Sequence, residues 1–261
     1  MIVEDILKLD FAFIETFTNR IDTTWGAIFC NENQPVHYDS NHAHISEPAG
    51  DPSLVIDDVI NYYKAKNIIP RFYIYNVEVQ QHLLSELKIR GFNYEEFFNS
   101  VQLWNNKIIE IEQNPNTVIE KVTEENVQEA LEIECSIKEF GGKNAVEKVF
   151  LEQFHHPAFT HYLLKFNNKA CSTACIFEHG NQSRMESVAT LEEYRGKRLI
   201  GELIQFIQNE VKSRAIEQFW VFPINESVEK VYQRYGFQTI TTLKTGHAYL
   251  GGKGIKEIQT R

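Results

Sequence analysis

The chain has 261 residues, 43% hydrophobic and 24% charged, a composition that can bury stable cores without cross-links and that excludes a mainly disordered protein. Its formal net charge of −10 argues against nucleic acid as a partner, and no apolar run approaches the roughly 18 residues that suggest a membrane span. The N-terminal run Met1-Ile2-Val3-Glu4-Asp5 is acidic where a secretory signal is basic, and Cys30, Cys135, Cys171 and Cys175 form no C-x-x-C pair, so a reducing, cytoplasmic setting is expected.

Charge is unevenly spread. Residues 1–113 hold 8 Lys+Arg and 17 Asp+Glu, whereas residues 114–261 hold 18 and 19. The second half is therefore the better host for a polyanion, and an acidic neighbour can draw in a cationic amine. A merely solvated acidic face is the plainer alternative.

In chain order, Ile6, Leu7, Leu9, Phe11, Phe13, Ile14 and Phe17 predict a helix within 2–20, and Trp25 to Cys30 a short strand. His42-x-His44 can set two imidazoles on one strand face, but no third ligand accompanies them and no metal is expected. After the loop Glu47–Ser53, Leu54, Val55, Ile56, Val59, Ile60 and Tyr63 predict an amphipathic helix. A strand over 68–75 and a helix over 78–90 follow, stopping at Gly91, with strand from Phe92 to about Trp104. The polar, proline-bearing segment 110–116 suits a boundary between domains at 1–112 and 117–261.

Beyond it come a strand over 117–122 and a helix opened by Thr123 as N-cap, with Asn126 at the capping-box position, reaching about Cys135. Phe140-Gly141-Gly142 breaks that pattern before a helix over 145–154. Strands over 161–166, 170–178 and 184–190 are joined at Asn167-Asn168-Lys169 and Gly180-Asn181. Simple alternation puts Cys171 and Cys175 on one face, and likewise Glu186 and Val188. A helix follows with Leu199, Ile200, Leu203, Ile204, Ile207 and Val211 at helical spacing, then a strand over 217–223, a helix over 226–234, and strands over 237–243 and 247–250.

The two halves echo one another. Each has a helix, an aromatic strand (Phe72–Tyr75 or Phe219–Phe222), an apolar-faced helix and a Gly-Phe pair, at Gly91-Phe92 and Gly236-Phe237. This order predicts a tandem arrangement whose first copy lacks a basic turn before its first helix.

The chemistry concentrates between Val188 and Gly201. A strand end runs through Arg195, Gly196, Lys197 and Arg198 into a helix starting at Leu199, Ile200 and Gly201. Unpaired amides at a helix start, helped by three cations, form a site for a phosphate-bearing anion.

This stretch resembles the acyl-CoA pyrophosphate loop of the GNAT superfamily, Gln/Arg-x-x-Gly-x-Gly/Ala, with Arg195 in the first position but Arg198 and Ile200 in place of the two glycines. Asn225-Glu226-Ser227-Val228-Glu229-Lys230-Val231-Tyr232-Gln233-Arg234-Tyr235-Gly236-Phe237 is similar to the closing segment of that superfamily, Asn-x-x-Ala-x-x-Leu-Tyr-x-x-x-Gly-Phe. The resemblance covers about residues 117–250 and, through the echo, weakly the first half. It implies an α/β (α+β) fold with a mixed, mostly antiparallel central sheet flanked by helices, in two tandem halves.

It also implies an N-acetyltransferase that uses acetyl-CoA on a primary amine of a small molecule or protein. Tyr232 would protonate the departing thiolate, because a phenol with a reference pKa of about 10 still holds its proton at neutral pH. Val188, Thr190, Arg195 through Gly201 and Asn225 would hold the cofactor, although Asn225 also suits a helix N-cap. Glu186 can serve as the base or stand as an ordinary strand residue. In the first half Leu87 replaces the tyrosine, so that copy should not catalyse. A non-catalytic GNAT-like module for ligand sensing or assembly is the rival reading, and a monomer or homodimer suits either.

Overall fold

The structure is a computed structural model that describes residues 2–137 and 143–259. Two compact units emerge, residues 1–99 with 242–261, and residues 100–241. This differs from the division expected in the polar segment 110–116. The residue just before that segment is fixed in the second unit, where Gln205 Nε2 donates to the Ile109 carbonyl at 3.1 Å. The expected glycine break at 140–142 lies outside the described residues.

The first unit opens with α1 (Ile2–Glu15), whose Phe11 meets Phe29 edge-on, ring centroids 5.2 Å apart. Strands β1 (Asn19–Thr23), β2 (Gly26–Cys30) and β3 (His42–Ile45) form an antiparallel meander. Strand β1 escaped the sequence pattern because Asn19, Arg20 and Asp22 make it polar and exposed. Gly26 is required where it stands, since its φ is +143° and an added Cβ would lie 1.9 Å from the His44 carbonyl oxygen.

Helix α2 (Pro52–Lys64) crosses from β3 to β4 (Arg71–Ile74), which lies parallel to β3. Helix α3 (Gln81–Ile89) then leads to β5 (Asn93–Trp104). Ile45, Ile56, Val59, Tyr63, Phe72, Ile74, Leu83 and Leu87 bury a common core between the two helices and the strands.

The other neighbour of β4 in this unit is the end of the last long strand, β11 (Phe237–Tyr249), antiparallel from Gly246↔Ile74 to Tyr249↔Arg71. The two strands expected over 237–243 and 247–250 are thus one. A short helix α8 (Ile255–Gln259), which sequence periodicity did not suggest, is clamped beside it. Arg71 Nη1 lies 3.1 Å from His247 Nε2 and His247 Nδ1 lies 2.7 Å from Glu95. Arginine only donates, so Nε2 accepts and Nδ1 carries the proton toward Glu95. Glu95 also accepts from the amides of Ile255 at 2.6 Å and Lys256 at 3.3 Å. Burial first, and the Arg71 charge, hold His247 down at about 4, consistent with a neutral ring.

In the second unit the strand order is β6 (Thr117–Lys121), β7 (Phe159–Phe166), β8 (Lys169–His179), β9 (Gln182–Thr190), β10 (Gln218–Val221) and the end of β5. All pairs are antiparallel except β9 with β10. This mixed, mostly antiparallel sheet flanked by helices agrees with the fold class expected.

Helix α6 (Leu199–Ser213) and Tyr232 of α7 (Glu226–Gln233) join the core that includes Ile176, Met185 and Phe219. Helix α4 (Val127–Ser136) and Phe150 of α5 (Lys143–Phe154) form another core with Leu163 and Ala189. Helix α4 starts later than Thr123 suggests. The Asn126 side chain accepts from the Thr123 amide at 2.7 Å, so the expected capping residue is itself tied by Asn126. A bulge between Leu164 and Lys165 also breaks the expected alternation in β8. Cys171 enters the α6 core, whereas Cys175 lies opposite His161 and feels Glu134 of α4.

Candidate active site

Strand β9 outlasts its parallel partner. β10 pairs with it only from Gln218↔Gln182 to Val221↔Met185, yet β9 continues to Thr190. The segment 186–190 therefore borders an opening with main-chain groups that β10 does not use. A register shift between Thr173 and Cys175 marks a bulge in the same place, and Ser187 adopts φ +49°.

The bulge overturns the expectation that Glu186 and Val188 share a face. Val188 packs into the α6 core, while Glu186 lies opposite Cys175. Glu186 forms an ion pair with Arg184, and Arg184 is itself buried with its guanidinium carbon 4.9 Å from the Phe222 ring centroid. Beyond the bulge, the Ser172 hydroxyl lies 2.8 Å from the Thr190 hydroxyl and donates to the Ala189 carbonyl at 2.6 Å, pinning the strand end.

The basic turn follows. Arg195 Nε donates to the Thr190 carbonyl at 3.1 Å, so this cation braces the turn while staying exposed. The Lys197 ammonium sits 4.8 Å from the Tyr194 ring centroid and 5.8 Å from that of Phe166. Arg198 is the N-cap of α6 with φ +65°, and no side chain caps the helix. The arginine thus adopts the left-handed backbone that glycine favours, at a cost of roughly 1–2 kcal/mol. The turn keeps the backbone freedom of the missing glycine without the residue.

Within the helix start, the Leu199 side chain is buried, leaving its amide as its contribution. Gly201 has a packing role not foreseen from the sequence. A Cβ there would lie 2.2 Å from the Tyr235 hydroxyl, so glycine seats that phenol against the first turn. Arg195, Gly196, Lys197 and Arg198 are all exposed. An uncapped helix start among three cations fits a diphosphate in chemistry and access.

Tyr232 is 5% exposed and meets Phe237 edge-on at 5.6 Å. Burial first, and the charge of Glu186 second, push its phenol far above the ordinary value, so it holds its proton at neutral pH. The Glu186 effect also places that carboxylate within electrostatic reach of Tyr232. Asn225 takes the capping role, its Oδ1 accepting from the Val228 amide at 3.0 Å. The sequence reading passed over Arg184, Tyr235 and Glu134, although Arg184 stands two residues before Glu186 on a strand.

Residues 127–237 match the model of the acetyltransferase (GNAT) family. Among solved structures, a functionally unknown conserved protein from Staphylococcus epidermidis is similar over 93% of this chain and 98% of its own, with TM-score 0.72 and 14% identity. A GCN5-related N-acetyltransferase from Kribbella flavida is similar over 97% of both chains, with TM-score 0.68 and 15% identity. Another from Sphaerobacter thermophilus aligns over 78% of this chain and 69% of its own, with TM-score 0.58 and 10% identity. No curated protein matches the sequence. These structural likenesses speak for the fold, and the family model for the segment that contains the opening, the basic turn and Tyr232. It is thus the segment 127–237, and not the whole chain, that matches the acetyltransferase (GNAT) family.

Proposed function

We propose that the second unit transfers an acetyl group from acetyl-CoA to a primary amine of a small molecule or protein. The observation that carries this reading is the start of α6, which has no side-chain cap of its own, is ringed by Arg195, Lys197 and Arg198, and follows the end of β9 that extends beyond its pairing with β10. The diphosphate would meet the amides from Lys197 to Ile200, since that of Gly201 already donates to the Arg198 carbonyl at 3.0 Å. The pantetheine arm would run along 186–190, where main-chain groups of Val188 and Thr190 would hold it and an amide would face the thioester oxygen.

The neutral amine attacks the thioester carbon, the C–N bond forms, and the C–S bond then breaks. Tyr232 donates a proton to the departing sulfur. A buried phenol suits that task because it stays protonated until a stronger base appears beside it. The first unit is a degenerate copy on this proposal, a scaffold with neither acid nor anion turn.

Arg198 and Ile200, at the two glycine positions of the family pattern, favour the second reading of a non-catalytic ligand-sensing or assembly module. Titration calorimetry with acetyl-CoA decides between them. The transferase should bind in the micromolar range, and the absence of heat at high micromolar ligand would favour the module. Tyr232→Phe should then lower turnover about 100-fold while leaving acetyl-CoA affinity within twofold. An unchanged rate would remove Tyr232 from the mechanism.

A further inference from the structure

Gly201 is the third residue of α6 after the N-cap Arg198. Glycine is the poorest helix former after proline, so its place inside the first turn calls for a cause. The cause is Tyr235. A Cβ built on Gly201 would lie 2.2 Å from the Tyr235 hydroxyl oxygen, 2.5 Å from Cζ and 2.7 Å from Cε1. The phenol thus fills the space that a side chain at position 201 would take.

Two contacts fix the direction of that side chain. The Tyr235 carbonyl accepts from Gln208 Nε2 at 2.6 Å, while the hydroxyl lies against Gly201. Positions 201 and 208 share one face of α6 and are separated by roughly 10 Å of helix. Tyr235 therefore runs along α6 from its backbone beside Gln208 to its hydroxyl beside the first turn, pointing toward the helix start. A side chain at the third helical position reaches back to that start, which is how a capping-box glutamate meets the N-cap amide. The Tyr235 hydroxyl stands in its place.

The residue is held from α7 as well, since its amide donates to the Tyr232 carbonyl at 2.9 Å. Its ring packs against the core that includes Leu203 and Ile204 and keeps part of its surface exposed. The hydroxyl has no hydrogen-bond partner among the described residues. A phenylalanine would pack equally well; what the tyrosine adds is a donor.

We propose that the Tyr235 hydroxyl donates a hydrogen bond to the diphosphate at the start of α6, taking the part of a side chain at position 201. The proposal rests on the transferase reading above. The amides from Lys197 to Ile200 and the three cations meet the diphosphate from the turn, and the phenol meets it from the end of α7. Gly201 and Tyr235 are on this reading one paired choice, glycine making room and tyrosine supplying the donor. The anchor of the cofactor and the proposed acid Tyr232 then lie three residues apart on one short stretch of chain.

The test begins with Tyr235→Phe, which keeps the ring and its packing and removes only the donor. Acetyl-CoA binding is measured by calorimetry, and S-acetylpantetheine, which has the thioester and the arm but no phosphate, is measured as its competitor. We expect Tyr235→Phe to bind acetyl-CoA about 10-fold more weakly, as the loss of a hydrogen bond to a charged oxygen requires, and to bind S-acetylpantetheine within twofold of the wild type. Tyr235→Ala should weaken acetyl-CoA binding at least as much. Gly201→Ser added to Tyr235→Ala should restore most of that loss, because the serine hydroxyl enters the vacated space. Unchanged acetyl-CoA affinity in Tyr235→Phe overturns the proposal. An equal loss for both thioesters also overturns it, by making the phenol a packing group, as does a double variant that binds no tighter than Tyr235→Ala. Failure of the wild type to bind acetyl-CoA overturns the transferase reading itself and is seen before any variant is made.

Discussion

The two units share a parallel strand-helix-strand element, β3-α2-β4 in the first and β9-α6-β10 in the second, and they differ most where the helix begins. Helix α2 brings its own anion, for Asp51 accepts from the amides of Ser53 at 3.0 Å and Leu54 at 3.3 Å. Helix α6 begins at Arg198 in the left-handed region with no side-chain cap and with cations on the turn before it. The helix start is therefore capped by its own carboxylate in the first unit and, on the function proposed above, left to an external anion in the second. A second contrast lies in the helix that follows. Leu87 of α3 sits inside the apolar core of its unit, while Tyr232 of α7 brings a phenol within the influence of Glu186. A few side chains at helix starts and helix faces suffice to separate a scaffold from a proposed catalyst.

Acid should give the largest effect on this contrast. Burial holds His44 down at about 3 and lowers His42 well below its ordinary value, and with His247 at about 4 the first unit has three such rings. Among the described residues, the second unit has His161 at about 4. Their folded values lie below the unfolded value of about 6.5. The stability these neutral rings contribute is therefore complete above pH 6.5 and is lost as pH falls toward the folded values, about 3 kcal/mol for His44 alone by pH 4. Amide exchange between pH 6.5 and 4 should show the first unit losing protection before the second. The reverse order would break the contrast.

Next in size is Arg198→Asp, which places a carboxylate at the open helix start in imitation of Asp51. Acetyl-CoA affinity should fall about 100-fold, roughly 2.7 kcal/mol, and calorimetry that finds it unchanged would separate the turn from binding. Smaller effects concern the caps. Asp51→Ala should cost about 1 kcal/mol in denaturant unfolding and leave acetyl-CoA binding alone. Arg198→Gly should gain about 1 kcal/mol by relieving the left-handed arginine, and should weaken binding if its guanidinium meets phosphate.

Much of this was legible in residue order. The stripe Leu199, Leu203, Ile204, Ile207 and Val211 marked α6 because a buried helix face repeats its apolar side chains at the helical period. The motif from Asn225 to Phe237 marked α7, and the echo between the halves matched the two parallel crossovers. The bulge at Ser187 could not be read, because nothing in a serine announces a left-handed backbone. Glu186 was consequently assigned to the wrong face. The segment 110–116 reads as a linker by its polarity, whereas the compact units divide at 99/100 and 241/242, a division that no composition shift announces. Glu134, a buried carboxyl of α4, did leave a trace, four residues after Ala130 and three after Leu131 on the apolar stripe.

The long strands β5 and β11 each serve both units in part, Leu103 pairing with Trp220 and Gly246 with Ile74. A gene fragment cut at residue 117, where composition invites the scissors, would express β10 without Gln102 and Leu103 beside it. Its bare amides and carbonyls would then be free to recruit neighbouring molecules into aggregates. Cuts before Ser100 and after Thr241 retain that pairing and offer the better route to a soluble fragment.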